Sequence, residues 1–254
     1  GSDDAADQED SENDAHIVPD YSLPFGLLGE LEAKVHVEID SLFSALTNGS
    51  TVQASGTVQS GVIALHRLAV AGERGKLDVS MEAEPDGEEH RVSLAVFGEE
   101  VRLAPPDEEP QVITERPAYT ISADLQGRGR TLRDLASTLS GSLRASSQAG
   151  RVPRRAHKLS TLFFGDVLSN TLDAINPKSW RHSNVAVECV ALRLNFHEGV
   201  AQGDPGFAVQ TRELNVLARG AIDLRNERLD LDVITRPRRG LGISVGDLLN
   251  PFVR

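Results

Sequence analysis

The chain has 254 residues, 39% apolar but only 4% aromatic, so aliphatic side chains must fill whatever it buries, and a surface that stacks nucleobases is not expected. The net charge of −12 is unevenly spread: residues 1–20 hold eight acids and no Lys or Arg, leaving −4 for the rest. Such a self-repelling leader is expected to be disordered, with Gly1-Ser2 as an expression scar, and no apolar run approaches the ~20 residues of a membrane helix.

From residue 21 to 103 the pattern is period two. Leu31, Ala33, Val35, Val37 and Ile39 alternate with Glu32, Lys34, His36, Glu38 and Asp40. Leu77, Val79, Met81 and Ala83 form a second set, and Val92, Leu94 and Val96 resume it after the turn residues Pro85, Asp86 and Gly87. Alternation of this kind predicts strands with one apolar and one wet face, and short connections make them antiparallel. Residues 104–117 carry four prolines and read as a linker to a second β segment, 118–254.

That segment opens with a strand from Tyr119 to Leu125, which is expected to stop at Gly127-Arg128-Gly129, where the glycines permit a tight turn. A short helix follows over 131–139, with Thr131 as its cap and Leu132, Leu135 and Leu139 on one face. Residues 157–176 have the strongest helical periodicity, through Leu159, Leu162, Phe163, Val167, Leu168, Leu172 and Ile175, with Pro177 after it. This helix is expected to pack on the open face of a sheet, with lying on a membrane as the alternative that the preceding basic run allows. Strands return with Leu214, Val216, Ala218, Gly220, Ile222 and Leu224, and after the turn Arg225-Asn226-Glu227 with Leu229, Leu231 and Val233. The expected fold is mainly β with minor α: a curved antiparallel sheet forming a trough, with one or two helices packed at it.

Catalytic and metal chemistry find little footing. Gly127 and Gly129 supply G-x-G, but Leu132 stands where the dinucleotide fingerprint needs its third glycine. Ser244 lies in G-x-S-x-G, yet no His follows it, as the hydrolase order requires. The seven histidines are scattered, and none makes a metal-ligand pair. Cys189 is the sole cysteine and is expected to be a small core residue. The basic run through Arg151, Arg154, Arg155 and Lys158 suits phosphates or a solvated loop, and the acidic remainder weighs against nucleic acid. No enzyme activity, cofactor or metal is expected.

The stretch "ADLQGRGRTLRDLASTLSGSL", 123–143, resembles the C-terminal signature of the AsmA-like family: strand, G-x-G, short helix, strand. "CVALRLNFHEGVAQ" from Cys189 and "QTRELNVLARGAIDLRNERLDLDVITRP" from Gln210 are similar to its later parts, and 23–39 and 63–83 to its opening strands. Where family members usually continue with another glycine-led strand, this chain stops at "NPFVR". The resemblance implies the soluble, periplasmic part of a protein anchored in the inner membrane of Gram-negative bacteria by an N-terminal helix not present in this sequence. It implies passage of phospholipid between inner and outer membranes along an apolar groove, a role in outer-membrane biogenesis, and envelope-protein partners.

An aliphatic sheet face must be covered by a second sheet, by helices or by a ligand. A trough would accept acyl chains along Leu31, Val35, Val37, Leu77, Val79, Val92, Leu94, Leu214, Val216, Ile222, Leu224, Leu229, Leu231 and Val233, with the helix 157–176 as its gate. The same residues serve a closed β scaffold or a protein-interaction module, because alternation does not distinguish a dry core from a lipid-lined one.

Overall fold

The computed structural model describes residues 18–23, 25, 31–42, 50–103, 110–152, 185–212 and 214–238. The strands are β1 (Ala33–Leu42), β2 (Ser50–Gln59), β3 (Val62–Gly72), β4 (Gly75–Asp86), β5 (Glu89–Arg102), β6 (Ala118–Gly129), β7 (Ser140–Ser147), β8 (Gly150–Val152), β9 (Val185–His197), β10 (Val200–Thr211), β11 (Leu214–Asp223) and β12 (Arg228–Pro237). Two short helices are described, α1 (Pro110–Glu115) and α2 (Leu132–Thr138). All twelve strands belong to one curved antiparallel sheet in the order β1-β2-β3-β4-β5-β6-β7-β9-β10-β11-β12, with β8 also pairing β9. It is mainly β, as the alternation requires, and it does not close into a barrel: the path ends at β1 and β12.

Residues 104–117 connect β5 to β6, which pair directly from His90↔Gly129 to Arg102↔Ala118. α1 lies within this connection, and Arg116 just after it is buried and donates from Nη1 to Leu103 O at 2.9 Å. The helix expected at 157–176, the motif around Ser244, Arg154, Arg155 and Lys158, and the leader up to residue 17 lie outside the described residues. Val152 and Val185, which flank the first of these, are register partners.

β6 does not stop at Gly127. It runs through Gly129 at full register with β5. The two glycines are there because a helix lies on them. A Cβ on Gly127 would come within 2.8 Å of Leu135 O, and one on Gly129 within 2.2 Å of Asp134 Cβ. α2 begins as expected, with Thr131 accepting from Asp134 N at 3.2 Å, while Asp134 Oδ2 accepts from Thr131 N at 3.1 Å in a capping box. Leu135 faces the strand, whereas Leu132 is exposed. Thr138 Oγ1 accepts from Arg128 N and donates to Arg128 O, both at 2.7 Å, tying the last turn to the strand beneath it.

Candidate lipid-facing trough

In an antiparallel ladder, residues directly opposite each other share a face. Following the registers from strand to strand therefore shows where each apolar set falls. Ala33, Val35, Val37 and Ile39 of β1 oppose Val58, Gly56, Ala54 and Val52 of β2, and these oppose Ile63, Leu65, Leu68 and Val70 of β3. Leu77, Val79, Met81 and Ala83 follow on β4, then Val92, Leu94, Val96 and Gly98 on β5. Ile121, Ala123 and Leu125 carry the face across β6 to Leu143 and Ala145 on β7. Leu192, Leu194 and Phe196 of β9 take it to Ala201, Phe207 and Val209 of β10. It ends with Leu214, Val216, Ala218 and Ile222 on β11 and Leu229, Leu231 and Val233 on β12. One aliphatic surface thus spans the whole sheet without changing sides.

The opposite face is mostly polar, with Phe97, Leu217 and Ile234 as exceptions. Arg67–Asp78 (2.7 Å) and Arg219–Asp232 (2.8 Å) lie on it as exposed ion pairs. Such pairs contribute little to stability but keep that side solvated. The Arg67 guanidinium is pushed above its ordinary value by its hydrogen bond to Asp78. Glu188 is held below the usual carboxylate range by hydrogen bonds from Gln210 and Arg238, and Asp223 by those from Asn226. On the apolar face, burial raises the Tyr119 hydroxyl.

Burial along the apolar face is graded. Val187, Val209, Leu214 and Val216 form a buried cluster near one margin, with Val152, Val190, Phe207 and Val233 against it. Across β2 to β7 the face is mostly half-buried. At β1 it is open, with Val35 53% and Val37 40% exposed. Where Gly203, Gly206 and Gly220 remove side chains, Leu194, Phe207, Ala218, Ile222 and Leu231 ring a small depression that is open to solvent. One end of the trough carries a wall. There α2 lies over Gly127 and Gly129, and the Phe25 ring packs against His90 at 5.2 Å with a tilt of 56°. Gly199 of the β9–β10 turn donates to Leu139 O at 2.8 Å. Gly199 also has φ +77 and no room for a Cβ beside Ser137 O.

Of the residues expected to line the groove, Val35, Val37, Leu77, Val79, Val92, Leu94, Leu214, Val216, Ile222, Leu229, Leu231 and Val233 all fall on this one face. Leu31 precedes β1 and is 50% exposed, and Leu224 lies in the β11–β12 turn, donating to Gly199 O at 2.9 Å. Leu159, Leu162, Phe163, Val167 and Leu172 lie outside the described residues. Cys189 is not a core residue. A register shift at the start of β9 puts it opposite Gln210 on the polar side, where it is exposed.

β2, β3, β6, β7, β9 and β10 also line the face, beyond the residues picked from the sequence. β3 hides its contribution because a bulge at His66-Arg67 breaks the period between Leu65 and Leu68. In "ISADL" and "ALRLNF" the alternation is present and would have sufficed. No group of three or more His, Cys, Asp or Glu arranged to hold a metal ion occurs among the described residues. Comparison of the chain with protein-family models, curated proteins and solved structures finds no match to any of them.

Proposed function

We propose that this chain binds phospholipid acyl chains along the aliphatic face of its sheet. The observation that carries the reading is the continuity of that face over every strand of an open sheet, half-buried where a packed core would be sealed. No second sheet covers it among the described residues, which counts against a closed sandwich. Removing apolar area from water contributes ~25 cal/mol per Å², so an acyl chain burying several hundred Å² gains on the order of 5–10 kcal/mol before the costs of binding. Aliphatic walls without specific polar anchors favour a ligand that slides over one that is fixed. The resemblance to AsmA-like proteins supplies the setting: the periplasm, on a protein anchored in the inner membrane, in lipid transport between inner and outer membranes and outer-membrane biogenesis.

The test is organic extraction and mass spectrometry of the purified protein, followed by uptake of a fluorescent phospholipid. Val96→Glu and Phe97→Glu provide the contrast, because adjacent residues point to opposite faces and Phe97, on the polar side, is 48% exposed. Val96→Glu abolishes uptake and Phe97→Glu preserves it. Lipid-free protein with no uptake, or equal loss in both variants, overturns the reading.

A further inference from the structure

We propose that β1 is a docking edge for a second copy of this chain, the two β1 strands pairing antiparallel about a two-fold axis at Val37. Among the described residues β1 pairs only with β2, and it contains no proline. All of its positions but Ile39 and Leu42 are exposed. A long, exposed edge strand with aliphatic side chains is a template for another strand.

The charges choose the partner. With the axis at Val37, residues opposite one another have numbers summing to twice that of Val37, so Lys34 meets Asp40 of the second copy and His36 meets its Glu38. The symmetry repeats both pairs. On the other face Val35 meets Ile39, and Val37 meets itself. From Lys34 to Asp40 every polar pair is complementary and every apolar pair is aliphatic, which is the pairing that stabilises adjacent strands. Moving the axis to His36 sets His36 against its own copy, and moving it to Glu38 sets Glu38 against its own copy. A one-residue slip would put the apolar faces of the two copies on opposite sides of the joint sheet.

The existing contacts allow this pairing. Glu38 Oε1 accepts from Gln53 Nε2 at 3.2 Å, which leaves its second oxygen for His36 of the partner copy. The bulge between Ile39 and Leu42 takes in Asp40, the last residue of the pairing stretch, and leaves Lys34 to Ile39 in regular register. The other edge is less suitable. β12 contains Pro237, which has no N–H, its Asp232 is already engaged by Arg219, and a two-fold axis at Leu231 would set Asp230 against Asp232. An isologous joint at β1 keeps both apolar faces on the same side, so two troughs become one. This inference rests on β1 alone and holds whether or not lipid binds.

Sedimentation velocity over a range of concentrations tests it on the lipid-free protein. The unaltered chain forms a dimer. Lys34→Glu and Asp40→Lys each weaken it by about tenfold or more through like charges on both sides of the axis. The double variant restores it. Mixing the two single variants gives a heterodimer, since the two introduced charges then face each other and the unaltered Lys34 of one copy faces the unaltered Asp40 of the other. A cysteine variant fixes the register. In a Cys189→Ser background Val37→Cys crosslinks, its Cα separation of ~4.5–5.5 Å being within disulfide range. Val35→Cys does not, because its counterpart lies about 13 Å along the strand. Monomer at all concentrations, a dimer indifferent to Lys34→Glu, or crosslinking of Val35→Cys as readily as Val37→Cys overturns the proposal.

Discussion

Replacing Gly129 with alanine tests whether α2 is seated on the sheet by the absence of a side chain. The added Cβ would lie 2.2 Å from Asp134 Cβ, 2.8 Å from Leu135 N and 2.9 Å from Asp134 C, where ordinary contact begins at 3.4 Å. Gly129 does not have a positive φ, so the alanine backbone is unstrained and the whole effect is overlap. The helix has no room to retreat: Asp134 Oδ2 accepts from both Arg130 N and Thr131 N at 3.1 Å, and Thr138 holds Arg128. Overpacking typically costs ~1–3 kcal/mol, and three close contacts, two to backbone atoms, place this substitution at about 2–3 kcal/mol. For a chain of this size that lowers the Tm by roughly 4–12 °C in a thermal melt followed by circular dichroism. Gly127→Ala falls less, because its nearest contact is 2.8 Å. Gly87→Asn is the control: it has φ +69 but nothing within 4 Å, and Asn tolerates that conformation. A Gly129→Ala protein melting within about a degree of the control would refute the seating of α2 on β6.

Three further outcomes are expected. Leu214→Ala, in the buried cluster at the β11 margin, costs ~2–4 kcal/mol in denaturant unfolding, and Leu229→Ala, 57% exposed on the same face, costs far less. Because Cys189 is exposed, it reacts with a thiol reagent in the folded protein as fast as after unfolding, whereas a core thiol would be silent until denatured. Glu188 has a depressed folded pKa, so its stabilisation is present at neutral pH and is lost as pH falls through that lowered value. The difference in Tm between the native protein and Glu188→Gln is therefore largest near neutrality and closes below the ordinary carboxylate range. A difference independent of pH would show that the hydrogen bonds from Gln210 and Arg238 do not act through the charge.

Where the pattern of side chains is unbroken, the sequence reveals the strands and their faces: Leu77 to Ala83, Val92 to Val96 and Leu229 to Val233 alternate in the chain as they do in the sheet. The same signal is lost at irregularities. The extra residue at His66-Arg67 shifts the period in β3, and the two added around Gly203–Phe207 obscure β10. Cys189 illustrates the same limit, since only the register of β9 against β10 reveals its side. Gly127 and Gly129 were legible as glycines but not as a helix seat. The choice between turn and close approach depends on what lies above the strand, and that is a tertiary fact. Which residues share a face across the whole sheet is likewise a matter of register, which no single strand contains.

The strand order has one more consequence. Nearly every strand touches only the strands just before and after it in the chain. Removing or adding a hairpin at an interior turn would therefore leave every remaining neighbour facing the same way, with its greasy side still aligned. Such a body can lengthen or shorten in steps of two ribbons without redesign of the rest, and it should unzip from its margins inward rather than collapse all at once.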